Sequence, residues 1–286
     1  MKIKPICYTC IYNQIFNLTK RMKLEEKFAG KIMQESALIL GKYEMNVTPP
    51  EIASEIYGFV YKKTGVEDPF KEAKKEAIKK ALEFKPMLKK FIKESNNPLF
   101  AAIKVAVAGN VIDLGVNKSF DLEKELELIK DMDFKINDFE DFEKRVKKAK
   151  TICYLADNAG ENVFDEILIE EIKKINDAKI YYVVRGKPII NDVTVEDLKG
   201  LEIEKLATIV DSGVDTPGFF LPKANKQSKE IFYNSDMVIS KGMGNFEVLF
   251  NEANKEVFFL FKVKCEAVAS EINANVGDYV VLRSEK

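Results

Sequence analysis

The constraint that narrows the fold most is a change of pattern after Lys150. Beyond it, apolar runs of strand length recur at residues 151–156, 180–184, 208–210, 237–240, 257–263 and 279–282. Helical patterns separate most of them, over residues 161–175, 223–234, 245–253 and 265–272. Strands joined through helices run parallel, and strands apolar along their whole length must be covered on both faces. The second half therefore predicts an α/β fold, a mostly parallel sheet with helices on both faces.

The first half is helical by the same test. Residues 20–43 repeat apolar side chains near helical spacing. Thr48-Pro49-Pro50 marks a break and a helix start, and residues 51–63 then place Ile52, Ile56, Phe59 and Val60 on one face. Asp68-Pro69 begins a lysine-rich helix that runs to about Ser95, with Pro86 as a point of interruption. Asn97-Pro98 begins an apolar helix over residues 99–108 that belongs in the interior, and acidic amphipathic segments at 122–132 and 138–148 follow. The expected division is an all-helical N-terminal domain over residues 1–148, supplying a cap and the start of a rim, and an α/β metal- and phosphate-binding domain over residues 149–286.

Histidine is absent from the chain, which removes every mechanism built on a Ser-His-Asp triad, a Cys-His pair or a phosphohistidine. Chemistry is left to carboxylates, amides, lysines, a thiol or a metal-bound water. The 45 basic and 46 acidic residues nearly cancel, so no long-range field favours nucleic acid or an anionic membrane. No stretch approaches the roughly 20 apolar residues of a membrane span. A soluble, cytoplasmic protein with neither nucleic-acid nor membrane partners is expected. Cys7, Cys10, Cys153 and Cys265 are too few and too scattered for a disulfide framework. Cys7 and Cys10 read more readily as packing residues than as half a zinc site or a redox pair.

In such a sheet ligands bind beyond the carboxyl ends of the strands. The first run ends in Asp157-Asn158-Ala159-Gly160-Glu161, where hard oxygen donors sit at a tight turn and a helix start offers N–H groups to an anion. The second runs into a long connection carrying Arg185 and Lys187, then Asn191 and Asp192; the third ends in a loop with Asp211 and Asp215. The fourth ends in Ser240-Lys241-Gly242-Met243-Gly244-Asn245-Phe246-Glu247, and the fifth in Lys264-Cys265. Singly, each has a bland reading. Asp157-Asn158 suits a helix cap better than a metal site, Asp192 is as good a cap as a ligand, and Lys264, Lys187 and Arg185 suit solvated cations. Asn110 and Asp113, inside the apolar helical stretch, read as satisfied core polars or as part of a lid. Co-occurrence on one rim favours a divalent cation beside a phosphate, chemistry that needs no histidine.

Together these motifs resemble a known family. Cys-x-x-Cys near the start, Ala-Gly-Asn-x-Ile-Asp, Asp-Asn-Ala-Gly-Glu, Asn-Asp-Val-Thr, Lys-Gly-Met-Gly-Asn-Phe-Glu and the late Lys-Cys pair are similar, in that order, to the motifs of subfamily I of the damage-control phosphatases, long called "domain of unknown function 89" proteins. The resemblance implies a Rossmann-like α/β domain preceded by a helical region. It also implies a phosphatase that depends on manganese, nickel, cobalt or magnesium and acts on small phosphorylated metabolites such as sugar phosphates or nucleotides. Homo-oligomerisation is compatible with it. By resemblance Asp157, Asn158 and Asp192 hold the metal, with Asp192 and Lys264 catalytic. Asn110, Arg185, Lys241, Gly242, Asn245 and Lys264 are the expected substrate contacts. The Arg-Thr-x-Lys motif of some relatives is missing, so that branch's sugar-phosphate preference does not carry over. The alternatives are an adenosyl-methionine-dependent carboxyl methyltransferase and a non-catalytic metal- or metabolite-binding protein.

Overall fold

The computed structural model describes residues 1–109 and 122–284. Helices α1 (Pro5–Arg21), α2 (Glu26–Leu40), α3 (Pro49–Thr64), α4 (Lys71–Glu94) and α5 (Pro98–Ala108) come first. Next are α6 (Leu122–Lys130), β1 (Phe134–Asn137) and α7 (Phe139–Val146). The alternating part contains β2 (Thr151–Leu155), α8 (Glu161–Ile175), β3 (Lys179–Val184), α9 (Ile203–Leu206), β4 (Thr208–Asp211) and α10 (Lys226–Asn234). It closes with β5 (Met237–Lys241), α11 (Gly242–Leu249), β6 (Phe258–Lys262), α12 (Glu266–Glu271) and β7 (Tyr279–Arg283). The strands form one sheet in the order β1-β7-β6-β5-β2-β3-β4, parallel throughout except for the β6–β7 pair. This is a Rossmann-like α/β fold preceded by an all-helical region.

Alternation along each strand sorts its side chains between two apolar layers. Ile152 and Tyr154 of β2 join the layer that contains α4, α5 and α8. Cys153 and Leu155 join the opposite layer, with α1, α2 and α3 beside α10, α11 and α12. Central strands are therefore largely apolar because both faces are covered, with Ser240 and Lys241 at the end of β5 as polar exceptions. Among the described residues, no helix is long and apolar enough to cross a membrane, and all four cysteines are free.

Several expected boundaries move. The helical stretch read over residues 20–43 is two helices. It is divided by a Schellman turn in which Leu24 N–H donates to Thr19 O at 3.1 Å and Lys23 N–H to Lys20 O at 3.0 Å. Lys23 takes the left-handed position, φ +50°, that glycine normally marks, so the sequence carried no stop signal. Nor was α1 itself recognised. Helix α4 runs unbroken through Pro86: Phe84 and Leu88 are fully buried on either side, and Lys85 is paired with Glu166 at 2.5 Å and Glu202 at 2.7 Å. These contacts outweigh the single backbone bond that proline removes. Strand β1 was missed because four residues lying between two helical patterns are too short for periodicity to reveal. Helix α11 starts at Gly242 rather than near Asn245, and α10 starts after Asn225, whose side chain accepts from Ser228 N–H at 2.9 Å. Asn110 and Asp113 lie outside the described residues.

Phe84 meets Phe164 edge-on, with centroids 6.2 Å apart, and so pins α4 to α8. Phe84→Ala should destabilise the protein by about 3–5 kcal/mol, read as a lower urea midpoint with an unchanged slope.

Candidate active site

The strand order reverses at β2. From there the chain steps outward through β3 and β4, then returns to lay β5 along the other side of β2. Loops leaving β2 and β5 diverge, and in such sheets the crevice for a ligand lies there, beyond the carboxyl ends. Asp157 stands on one side of it and Gly242 on the other. A Cβ built on Gly242 would lie 1.8 Å from Asp157 Oδ2, and the residue's φ is +76°. Only glycine satisfies both the backbone and the carboxylate pressed against it.

The connection after β3 folds back on the turn after β2. Val193 N–H donates to Asp157 O at 2.9 Å, Ala159 N–H donates to Asn191 O at 2.9 Å, and Asn158 forms an antiparallel bridge with Asp192. This short ladder brings Asp157, Asn158 and Asp192 together at the mouth of the crevice. Ile190, two residues before Asp192, has φ +47°, a strained value for a β-branched side chain.

Around these residues, charges are buried in close order. Arg185, 1% exposed, donates through Nε to Asp192 Oδ2 at 2.7 Å and through Nη2 to Asn245 Oδ1 at 3.2 Å. Its Nη1 has no hydrogen-bond partner among the described residues. Asn158 Nδ2 donates to Asp157 Oδ2 at 3.0 Å and to Glu161 Oε1 at 2.8 Å. Behind them, Lys241 Nζ lies 3.2 Å from Glu161 Oε2 and 2.8 Å from Asp165 Oδ1. Asp165 also accepts from the hydroxyls of Tyr154 at 2.6 Å and Tyr182 at 2.7 Å.

Burial sets the protonation of this cluster. It pushes the Asp157 carboxyl well above its ordinary range, and the nearby carboxylates of Glu161 and Asp192 push it further, against Arg185 and Lys264. Burial also raises Asp192 to about 6, although the Arg185 guanidinium pulls the other way. Lys241 behaves oppositely: burial opposes its charge, but Asp165 and Glu161 hold the ammonium above the usual lysine value.

The expected site residues fall into two groups. Asp157, Asn158, Asp192, Arg185 and Gly242 converge on the crevice. The charge of Lys264 reaches Asp157, while its side chain is exposed on the rim. Lys241 and Asn245 stand behind. Asn245 donates to Ala156 O at 2.9 Å and Lys241 O at 2.7 Å, and its Oδ1 accepts from Phe219 N–H at 2.7 Å as well as from Arg185. Lys187 is exposed, and Asp215 pairs with Lys223 at 2.9 Å. Three of the N–H groups expected to greet an anion at the start of α8 are in use: Gly160 N–H donates to Asn162 Oδ1, Glu161 N–H to Asn158 O, and Val163 N–H to Gly160 O. Glu161 and Asp165 were not singled out as site residues. Their i, i+4 spacing shows that they share a helix face, but their partner Lys241 lies far along the chain.

No three His, Cys, Asp or Glu side chains among the described residues are arranged to hold a metal ion. The candidate donors are instead two carboxylates and an amide, all oxygen ligands of the kind hard cations prefer.

A Rossmann-like sheet with a polar cluster at its reversal point is the setting in which α/β proteins bind ligands at their strand ends. Sequence comparison makes this specific. The profile of the "Damage-control phosphatase ARMT1-like domain" matches residues 3–280. A damage-control phosphatase of Pyrococcus horikoshii is 37% identical over 288 residues, covering 100% of this chain and 99% of that protein. One from Archaeoglobus fulgidus is 34% identical, with 98% of each chain covered, and an uncharacterised protein of Methanocaldococcus jannaschii is 33% identical, with 99% of this chain and 96% of that one covered. The crystal structure of a DUF89 family protein from Pyrococcus horikoshii superposes with a TM-score of 0.93 at 36% identity, covering 100% of both chains. The chain belongs to the damage-control phosphatase family.

Gly242→Ala should displace the Asp157 carboxylate and lower any activity of the crevice at least tenfold while far-UV circular dichroism stays native. A second expectation concerns pH. A carboxyl raised on folding favours the folded state fully below its unfolded pKa of 3.8, and that contribution is lost as pH rises through about 6. In chelator, wild type should therefore lose stability between about pH 4 and pH 7, and Asp192→Asn, which also leaves Arg185 without its buried partner, should show a shallower decline over that range, measured by paired urea titrations.

Proposed function

We propose that this protein is a metal-dependent phosphomonoesterase for small phosphorylated metabolites, with Asp157, Asn158 and Asp192 holding a divalent cation and Lys264 facing the phosphate. The observation that carries the reading is the ladder between the loops after β2 and β3, which brings two buried carboxylates and an amide together next to an arginine nitrogen that has no partner among the described residues. Buried carboxylates raised by burial and by neighbouring carboxylates are stabilised in their charged form by a cation, and all-oxygen donors suit manganese or magnesium.

When bound, such an ion lowers the pKa of a water and polarises a phosphoryl oxygen. The protein's own groups do the remaining work. Asp157 and Asp192 bring two negative charges to offset the cation, and Asn158 adds a neutral oxygen. Arg185 fixes Asp192 through Nε and leaves Nη1 for a phosphoryl oxygen. Lys264 on the rim offsets charge that develops on the transferring group. Lys241 and Asn245 act from behind: the first neutralises Glu161 and Asp165, the second locks the ends of β2 and β5 and orients Arg185. Fixed donors of this kind need no reorganisation during the reaction.

Asp192→Ala should abolish hydrolysis of p-nitrophenyl phosphate in manganese or magnesium while retaining the native circular dichroism. Metal-supported turnover surviving in that variant would refute the assignment. Lys264→Met should retain metal binding, read by calorimetry, but reduce kcat/KM about 100-fold, equivalent to about 3 kcal/mol of lost transition-state stabilisation.

A further inference from the structure

Beside the turns that carry Asp192 and Gly242 lies a pocket of about 320 Å³, a size that suits a small organic molecule. Its near end belongs to the site already described. Lys264 lines it, together with Ile190 from the loop that carries Asp192, and Met243 and Gly244 from the turn that follows Gly242. The far walls come from the helical region and α12: Ile11 of α1, Pro50 and Ala53 of α3, and Ala267. Cys7, Cys10 and Cys265 add thiols, which pack as small apolar groups. Among the described residues lining the pocket, Lys264 and Glu247 carry the charge, and Gln14 adds an amide.

Such walls discriminate by what they lack. Each hydroxyl of a seated sugar would leave water for a surface with few partners, and each such loss lowers affinity on the order of tenfold. An alkyl or thioether body meets no such penalty. We propose that this pocket is the leaving-group subsite and that it selects phosphomonoesters whose organic part is mainly apolar over sugar phosphates and nucleotides. The inference rests on the phosphatase reading above: Lys264 and the crevice take the phosphate, and the pocket enclosed by α1, α3 and α12 takes the chain attached to it. Glu247 and Gln14 leave room for one or two polar groups on that chain but not for a ring of hydroxyls.

The test is a series of ethyl, butyl and hexyl phosphate, set against glucose 6-phosphate and adenosine monophosphate, in manganese and in magnesium. The expected result is a kcat/KM that rises about threefold for each added methylene, carried mainly by KM, with both polar esters below butyl phosphate. Ala53→Phe and Cys10→Phe narrow the pocket from two sides. In each, the ratio of hexyl to ethyl phosphate should fall towards one, and thermal melting checks that the variant is folded. Cys10 is exposed, so its variant keeps the test valid if Ala53→Phe fails to fold. Turnover that ignores chain length, or that favours the sugar phosphate, overturns the subsite and leaves the phosphatase reading standing. No turnover of any ester with either metal overturns both.

Discussion

A positive charge buried between two carboxylates organises this molecule. Lys241 ends β5 and sets its ammonium against Glu161 and Asp165 of α8, while Tyr154 of β2 and Tyr182 of β3 close on Asp165 from the sheet. Three adjacent strands and the helix that crosses them are thus joined through one ionised cluster beneath the sheet. Removing one partner of a buried pair leaves the other uncompensated, typically at several kcal/mol, so the parts hold or fail together. The cluster also fixes Glu161, which anchors Asn158. The geometry at the crevice is inherited from a charge balance one layer deeper.

How much of this could be read in advance follows from the range of the interactions involved. Strand runs and the helix over residues 161–175 emerge from periodicity alone, because covering both faces of a sheet dictates the pattern locally. The turn at Asp157 and Asn158 was legible because strand, oxygen donors and glycine are contiguous. Its partnership with Asp192 came from family resemblance, and the structure supplies the physical reason in two backbone hydrogen bonds. Lys241 and Asn245 look, in sequence, like rim residues after a strand. Their burial is decided by α8 and by the loop at Phe219, neither of which is near them in the chain. The turn at Lys23 was invisible for the opposite reason: a local motif formed without its usual residue.

Two kinds of surface meet at the rim. One is built of oxygen donors and charges at the ends of β2, β3 and β5. The other is an apolar and thiol wall contributed by α1, α3 and α12. Lys264 lies on their seam. On the proposed reading, chemistry at a phosphate and recognition of what it is attached to would be supplied by different stretches of chain, and loops on a rigid scaffold can vary in one without disturbing the other.

Ile190 gives this arrangement a further property. Its backbone is held in a conformation that its side chain disfavours, and the ladder that follows at Asn191 and Val193 is what holds it there. The hydrogen bonds of the ladder offset the cost of that conformation. If the ladder opened, the residue would relax into extended backbone and carry Asp192 away from Asp157. A change that weakens those hydrogen bonds would then be felt at the Asp192 carboxylate, through a backbone it need not touch.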